Sequence, residues 1–220
     1  MTKNKILIVY PPSGNINREE RCQQHFKEYL KLMNLPPTDL LYLAAISEKA
    51  GYDVKVKDYG QNNQTIKDFV EDLRLYLPNY VIFDVSLPSL VDDLNLCEEN
   101  NENSPSTKII AKGFPFKVDA KGIMAKYTKL DYAIKGDAEH TVYEFLLNKV
   151  LSDIDGLVWR SGNVIIENIS KKVCGNLDDL PFPARHLIDN TKYTRPDNNK
   201  PLAVIRVEKG CPHGCFFCLV

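Results

Sequence analysis

With 220 residues and 44% hydrophobic content the chain can bury one complete domain plus an appendage, and 28 basic residues against 29 acidic ones leave no surplus that would mark a polyanion-binding protein. No stretch approaches the ~20 consecutive apolar residues of a membrane span, and Met1-Thr2-Lys3-Asn4-Lys5 runs straight into an apolar segment rather than a signal peptide, so the reading is a cytoplasmic protein. Cys22, Cys97 and Cys174 stand alone while Cys211, Cys215 and Cys218 crowd together, which fits packed thiols and a metal site better than a disulfide framework.

In chain order, the apolar run Ile6-Leu7-Ile8-Val9-Tyr10 reads as a buried parallel strand that exits through Pro11-Pro12-Ser13-Gly14. Thr38 or Asp39 caps a helix in which Leu40, Leu41, Leu43, Ala44 and Ala45 keep helical spacing until Gly51. Residues 53–57 alternate like a strand near an edge. Residues 65–77 place Ile66, Phe69, Val70, Leu73 and Leu77 on one helical face, ended by Pro78. A strand at 80–85, a helix at 89–99, a polar surface loop at 100–107, a strand at 108–112, a helix at 118–127, a strand at 132–134 and a helix at 138–151 complete the alternation.

Five strands alternating with five helices predict a doubly wound parallel α/β sheet in the flavodoxin-like order 2-1-3-4-5. Ligands of such sheets bind beyond the carboxyl ends of the strands, at the switch point between strands one and three. That rule selects the loops 11–15, 86–89, 113–116 and 136–139, and with them Pro12, Ser13, Ser86, Leu87, Gly113, Gly136 and Glu139 as candidate cofactor contacts. The glycines equally suit backbone geometry, and Asp137 and Glu139 equally suit a helix start.

From residue 152 the pattern changes. Leu157-Val158-Trp159 and Val164-Ile165-Ile166 flank a turn and read as a β-hairpin, with Trp159 in its core. Residues 167–200 read as a linker that hugs the surface, and 202–207 as one more strand leading through Glu208-Lys209-Gly210 into the cysteines. The expected division is 1–151 for the sheet domain, 152–200 for hairpin and linker, and 201–220 for the start of a second α/β unit. His25, His140 and His186 read as surface or packing residues.

Three thiolates at C-x3-C-x2-C can hold an iron-sulfur cluster with one iron open to a further ligand. Tetrahedral zinc would need a fourth donor, for which His213 is the candidate. The segment Gly210-Cys211-Pro212-His213-Gly214-Cys215-Phe216-Phe217-Cys218 resembles the signature loop of the radical S-adenosylmethionine superfamily. The resemblance implies a 4Fe-4S cluster on Cys211, Cys215 and Cys218 whose fourth iron chelates S-adenosylmethionine, with Phe217 near the adenine. It also implies reductive cleavage to a 5′-deoxyadenosyl radical.

Tyr10-Pro11-Pro12, the stretch 37–45, Lys135-Gly136-Asp137-Ala138-Glu139 and Asp179-Leu180-Pro181-Phe182-Pro183-Ala184-Arg185 extend the resemblance to the cobalamin-binding branch of that superfamily. By that likeness the sheet holds cobalamin, and methyl transfer is among the implied reactions. The Asp-x-His-x-x-Gly motif of many cobalamin domains is missing, so the implied cobalamin has no histidine lower ligand and Leu87 or a neighbour covers that face. The resemblance makes the chain the front portion of such an enzyme, holding only the first strand of a truncated barrel, the rest of which could belong to a separate chain. The rival readings are a non-enzymatic cobalamin- or partner-binding module with a vestigial cysteine loop, and a zinc-binding protein.

Overall fold

The computed structural model describes residues 3–14, 16–18, 24–25, 35–61, 63–170, 176–195, 197–210, 213, 215 and 216. Its elements in chain order are β1 (Lys5–Tyr10), β2 (Ile16–Asn17), β3 (Gln24–His25), α1 (Thr38–Lys49), β4 (Asp53–Asp58), α2 (Ile66–Tyr76), β5 (Tyr80–Asp84), α3 (Leu90–Asn103), β6 (Lys108–Lys112), α4 (Phe114–Lys126), β7 (Tyr132–Ile134), α5 (Ala138–Leu146), β8 (Leu157–Ser161) and β9 (Val164–Glu167). The main sheet runs β4-β1-β5-β6-β7-β8-β9. Its first five strands are parallel and follow the order expected from the alternation, with β1 paired to β4 on one side and β5 on the other.

Strand periodicity divides the core in two. In β1, Ile6 and Ile8 join one cluster with Leu41 of α1, Val54, Ile82, Ile110, Ile134 and Phe145 of α5. Leu7 and Val9 point the other way, to Phe69 of α2, Phe83, Leu94 of α3, Phe116 and Met124 of α4. A strand buried on both faces is apolar at every position, which is why β1 reads as an unbroken run. β4 lies at the edge and alternates instead: Val54 and Val56 face the core, while Lys55 and Lys57 reach Asp72 of α2 at 2.5 and 3.1 Å.

Four boundaries differ from the expectation. Thr38 and Asp39 lie inside the first turn of α1 rather than capping it, with Pro37 at the N-cap. α4 starts earlier, at Phe114, and bends at Asp119, whose backbone leaves the helical region. α5 ends at Leu146, before Asn148 turns left-handed with φ +57°. The polar stretch 100–107 is not a solvated loop: α3 continues to Asn103, buried Asn100 donates to the Thr107 carbonyl at 3.0 Å, and Thr107 Oγ1 donates to the Pro78 carbonyl at 2.6 Å. Those side chains satisfy the helix end and the neighbouring turn, so their polarity reports internal hydrogen bonding.

The hairpin does not stand apart from the sheet. β8 pairs antiparallel with β7, with Tyr132 opposite Trp159, and β9 pairs with β8, giving seven strands in all. Trp159 is buried in the α1/α5 cluster, and Val158 points into the other.

Residues 184 and 193 are tied to the elements of the sheet domain. The Ala184 amide donates to the Leu41 carbonyl at 3.0 Å, and the Tyr193 hydroxyl to Asp58 at 3.3 Å. The expected strand at 202–207 has no regular secondary structure and joins no sheet among the described residues; a single bridge, Thr194 to Pro201, precedes it. Its apolar alternation matches a strand, but a strand exists only where a neighbouring edge accepts its backbone groups.

Candidate cofactor crevice

At the carboxyl ends of β1 and β5, where the strand order reverses, one carboxylate gathers two loops. Asp93, fully buried on α3, accepts from Arg18 through both guanidinium nitrogens at 2.8 and 3.0 Å, from Ser89 Oγ at 2.6 Å, from the Ser86 amide at 3.2 Å, and from Ser13 Oγ. Arg18 also donates to the Asp84 carbonyl at 2.7 Å, and its guanidinium stands 5.3 Å from the Tyr10 ring. Ser86 and Ser89 share a hydroxyl hydrogen bond of 2.5 Å.

A forked arginine on a buried carboxylate, with three further donors on the same group, leaves neither charge uncompensated and fixes both loops against α3. The hydroxyls of Ser13, Ser86 and Ser89 are thus committed inward. Between the two buried serines Leu87 projects outward, 55% exposed.

A second set of charges lines the same rim on the α1/α5 side. Asp84, the last residue of β5, pairs with Lys112, the last of β6, at 2.7 Å. Burial pushes the Asp84 carboxyl up to about 6, although Lys112 pulls the other way. Burial, reinforced by Asp84, also raises the Tyr10 phenol well above its usual range. Asp39 in the first turn of α1 meets Arg206 at 2.6 Å; burial works against its charge, yet Lys112 and Arg206 hold it below the ordinary carboxylate value. Lys209 meets Glu139 at 2.5 Å and Asp137 at 3.1 Å.

The two rim glycines answer different needs. Gly113 has φ +131°, and a Cβ built there would fall 2.0 Å from the Val85 carbonyl oxygen, so close backbone approach excludes a side chain where β6 turns into α4. Gly136 has φ +107°, a backbone region that favours glycine, and its Cβ would fall 2.4 Å from Ser170 Oγ, a hydroxyl that can rotate away.

The fold thus brings Pro12, Ser13, Ser86, Leu87, Gly113, Gly136 and Glu139 to one edge of the sheet, as the switch-point rule requires, with Glu139 engaged by Lys209. Cys211, Cys218 and Phe217 lie outside the described residues, as do Cys22 and Cys174. Cys215 is exposed, and among the described residues no group of three His, Cys, Asp or Glu side chains could hold a metal ion. Cys97 is packed in the core, where burial pushes its thiol up to about 12. His186 lies on the surface against Glu48 at 2.9 Å.

Sequence reasoning missed Arg18, Asp84, Asp93 and Lys112. The signal for two of them was present: Asp84 and Lys112 are charged residues at the carboxyl ends of strands with apolar interiors, YVIFD and KIIAK.

Solved proteins share this architecture. The cobalamin-dependent S-adenosylmethionine radical enzyme OxsB, with aqua-cobalamin and S-adenosylmethionine bound, superposes with a TM-score of 0.62 at 14% identity over 83% of this chain and 24% of its own. The radical S-adenosylmethionine methyltransferase TsrM from Kitasatospora setae, with cobalamin and a [4Fe-4S] cluster bound, gives 0.56 at 16% identity over 83% of this chain and 31% of its own. Both are likenesses of fold.

In sequence, the chain is 22% identical to the uncharacterized methyltransferase PH0819 of Pyrococcus horikoshii over 97% of its own length and 45% of the relative's. It spans less than half the length of the curated relatives it matches. The B12 binding domain family matches residues 33–146, from just ahead of α1 to the last residue of α5, a stretch that takes in the rim loops after β5, β6 and β7. That match covers more than half of the residues, and the chain belongs to the B12-binding domain family.

Proposed function

We propose that this chain is the cobalamin-binding part of a cobalamin-dependent radical S-adenosylmethionine enzyme, with methyl transfer as its reaction class. The observation that supports it most is the convergence of two features on one rim: the crevice of a B12-binding domain, and the peptide 206–210 that leads directly into the C-x3-C-x2-C motif and is ion-paired to that rim. The name of the methyltransferase from P. horikoshii and the titles of OxsB and TsrM support the same reading.

The residues present fit a corrin held without a protein histidine. Only His25 among the four histidines lies between β1 and α1, and the crevice loops offer an apolar side chain, Leu87, on a base locked by Ser86, Ser89 and Asp93. Pro12, Ser13, Ser86, Leu87, Gly113, Gly136 and Glu139 would border the cobalamin, with Leu87 against its lower face and the glycine backbones close to its periphery. Cys211, Cys215 and Cys218 would hold the cluster, and Phe217 would lie near the adenine of S-adenosylmethionine.

Bound there, cobalamin supplies methyl-carrier and redox chemistry, and a 4Fe-4S cluster supplies reductive cleavage of S-adenosylmethionine. The chain's own residues orient the groups: Asp93 fixes the loops, Leu87 excludes water, and the Asp84–Lys112 pair sets the charge at the crevice wall. A reducible cluster of this kind would call for a reducing compartment such as the cytoplasm.

The test is anaerobic reconstitution with iron and sulfide, then electron paramagnetic resonance of the reduced protein with and without S-adenosylmethionine. Corrin absorbance after incubation with aquocobalamin and gel filtration tests the sheet separately. A cluster signal perturbed by S-adenosylmethionine, with corrin retained, is expected. Stoichiometric zinc with no cluster signal overturns the radical reading, and loss of all corrin on filtration overturns the cobalamin reading.

A further inference from the structure

The peptide that leads into the cysteine motif has few attachments of its own. Residues 202–209 join no sheet among the described residues, and Ile205 and Val207 are 79% and 83% exposed. Near its start, the Leu202 amide donates to the Tyr193 carbonyl at 3.0 Å and Arg185 donates to the Val204 carbonyl at 2.5 Å. Leu202 and Val204 are half-buried, and the further polar contacts among the described residues are ionic. Arg206 meets Asp39 in the first turn of α1, and Lys209 bridges Asp137 and Glu139 at the start of α5.

These are not ordinary surface pairs. The five side chains are between 8% and 29% exposed, and Lys209 satisfies two carboxylates at once. Partial burial removes much of the solvent screening that makes exposed ion pairs nearly worthless, and it makes removal of one partner costly. The anchor is rigid as well: α1 and α5 pack against each other on one face of the sheet, so Asp39, Asp137 and Glu139 belong to one unit. Their helix starts are also the rim of the crevice. Lys209 stands two residues before Cys211.

We propose that Arg206 and Lys209 form a clasp that fixes the lead-in to the cysteine loop on the crevice rim, so that helices α1 and α5 hold the cluster site and the cobalamin site in register. Both are positioning residues, acting through the backbone they hold. The clasp is independent of any cofactor; its coupling to cobalamin rests on the function proposed above.

The test is 15N backbone relaxation on the full chain, comparing wild type, R206M/K209M and K209R. Without cofactor, order parameters of amides 202–210 should fall from the rigid range of about 0.85 to below about 0.6 in R206M/K209M while α1 and α5 keep wild-type values, and K209R should retain most of the order. Unchanged order parameters of 202–210 in the double variant overturn the clasp. Added aquocobalamin should then raise the order of 202–210 in wild type and not in R206M/K209M. An equal rise in both overturns the coupling. If wild type takes up no corrin by absorbance, the proposed function fails on that measurement, and the cofactor-free relaxation decides the clasp by itself.

Discussion

Asp93 holds together the loops that follow β1 and β5. It is the common acceptor for a buried guanidinium, two hydroxyls and a backbone amide from loops on either side of the switch point. Asp93→Asn keeps the shape and removes the counter-charge of Arg18. Stranding a buried cation in this way is expected to cost about 3 kcal/mol, read as a lower urea midpoint with unchanged slope.

Asp84 makes a different prediction. Its folded pKa of about 6 lies above the unfolded carboxylate value of about 3.9, so between these values the folded chain binds more protons than the unfolded one. Its contribution is therefore full at the acidic end and is lost as pH rises through 6. Paired melts of wild type and Asp84→Asn should show wild type gaining relative to the variant as pH falls from 7.5 to 5. A difference that is flat, or of opposite sign, would mean that Lys112 outweighs burial.

At the scale of elements, the turn from β6 into α4 and the β8–β9 hairpin are the informative pieces. A methyl group at Gly113 would meet the Val85 carbonyl in a backbone region that L-residues rarely adopt. Gly113→Ala should cost about 3 kcal/mol, and corrin retention should fall with it, since the strain is released only by moving the β5 or β6 exit. The hairpin is paired to β7 and shares both cores, so it should melt with the sheet. Trp159→Ala is expected to lower one cooperative transition by about 3 kcal/mol rather than to create a separate early one, as coincident circular dichroism and tyrosine-fluorescence melts would show. Element existence was legible in the sequence almost throughout, because burial on one or two faces leaves a period that any reader can count. Element ends were less legible: Asn100, Ser104 and Thr107 look like loop residues, yet their polar atoms close the end of α3 and the neighbouring turn.

For the whole molecule, a ligand that binds only the folded chain must stabilise it. Aquocobalamin at about 100 times its dissociation constant should add about 2.7 kcal/mol, visible as a concentration-dependent rise in melting temperature. The strand order, and with it the set of loops at the carboxyl ends of the parallel strands, followed from the sequence by itself, since alternating strands and helices admit few topologies. The tertiary structure alone decided that the hairpin joins the sheet, that 202–207 joins none, and which charges meet. Arg18 and Asp93 are 75 residues apart in the chain, and Lys209 and Glu139 are 70 apart. Periodicity is a local property, written in neighbouring residues; the pairing of charges is a property of distance in space, and no spacing in the sequence encodes it.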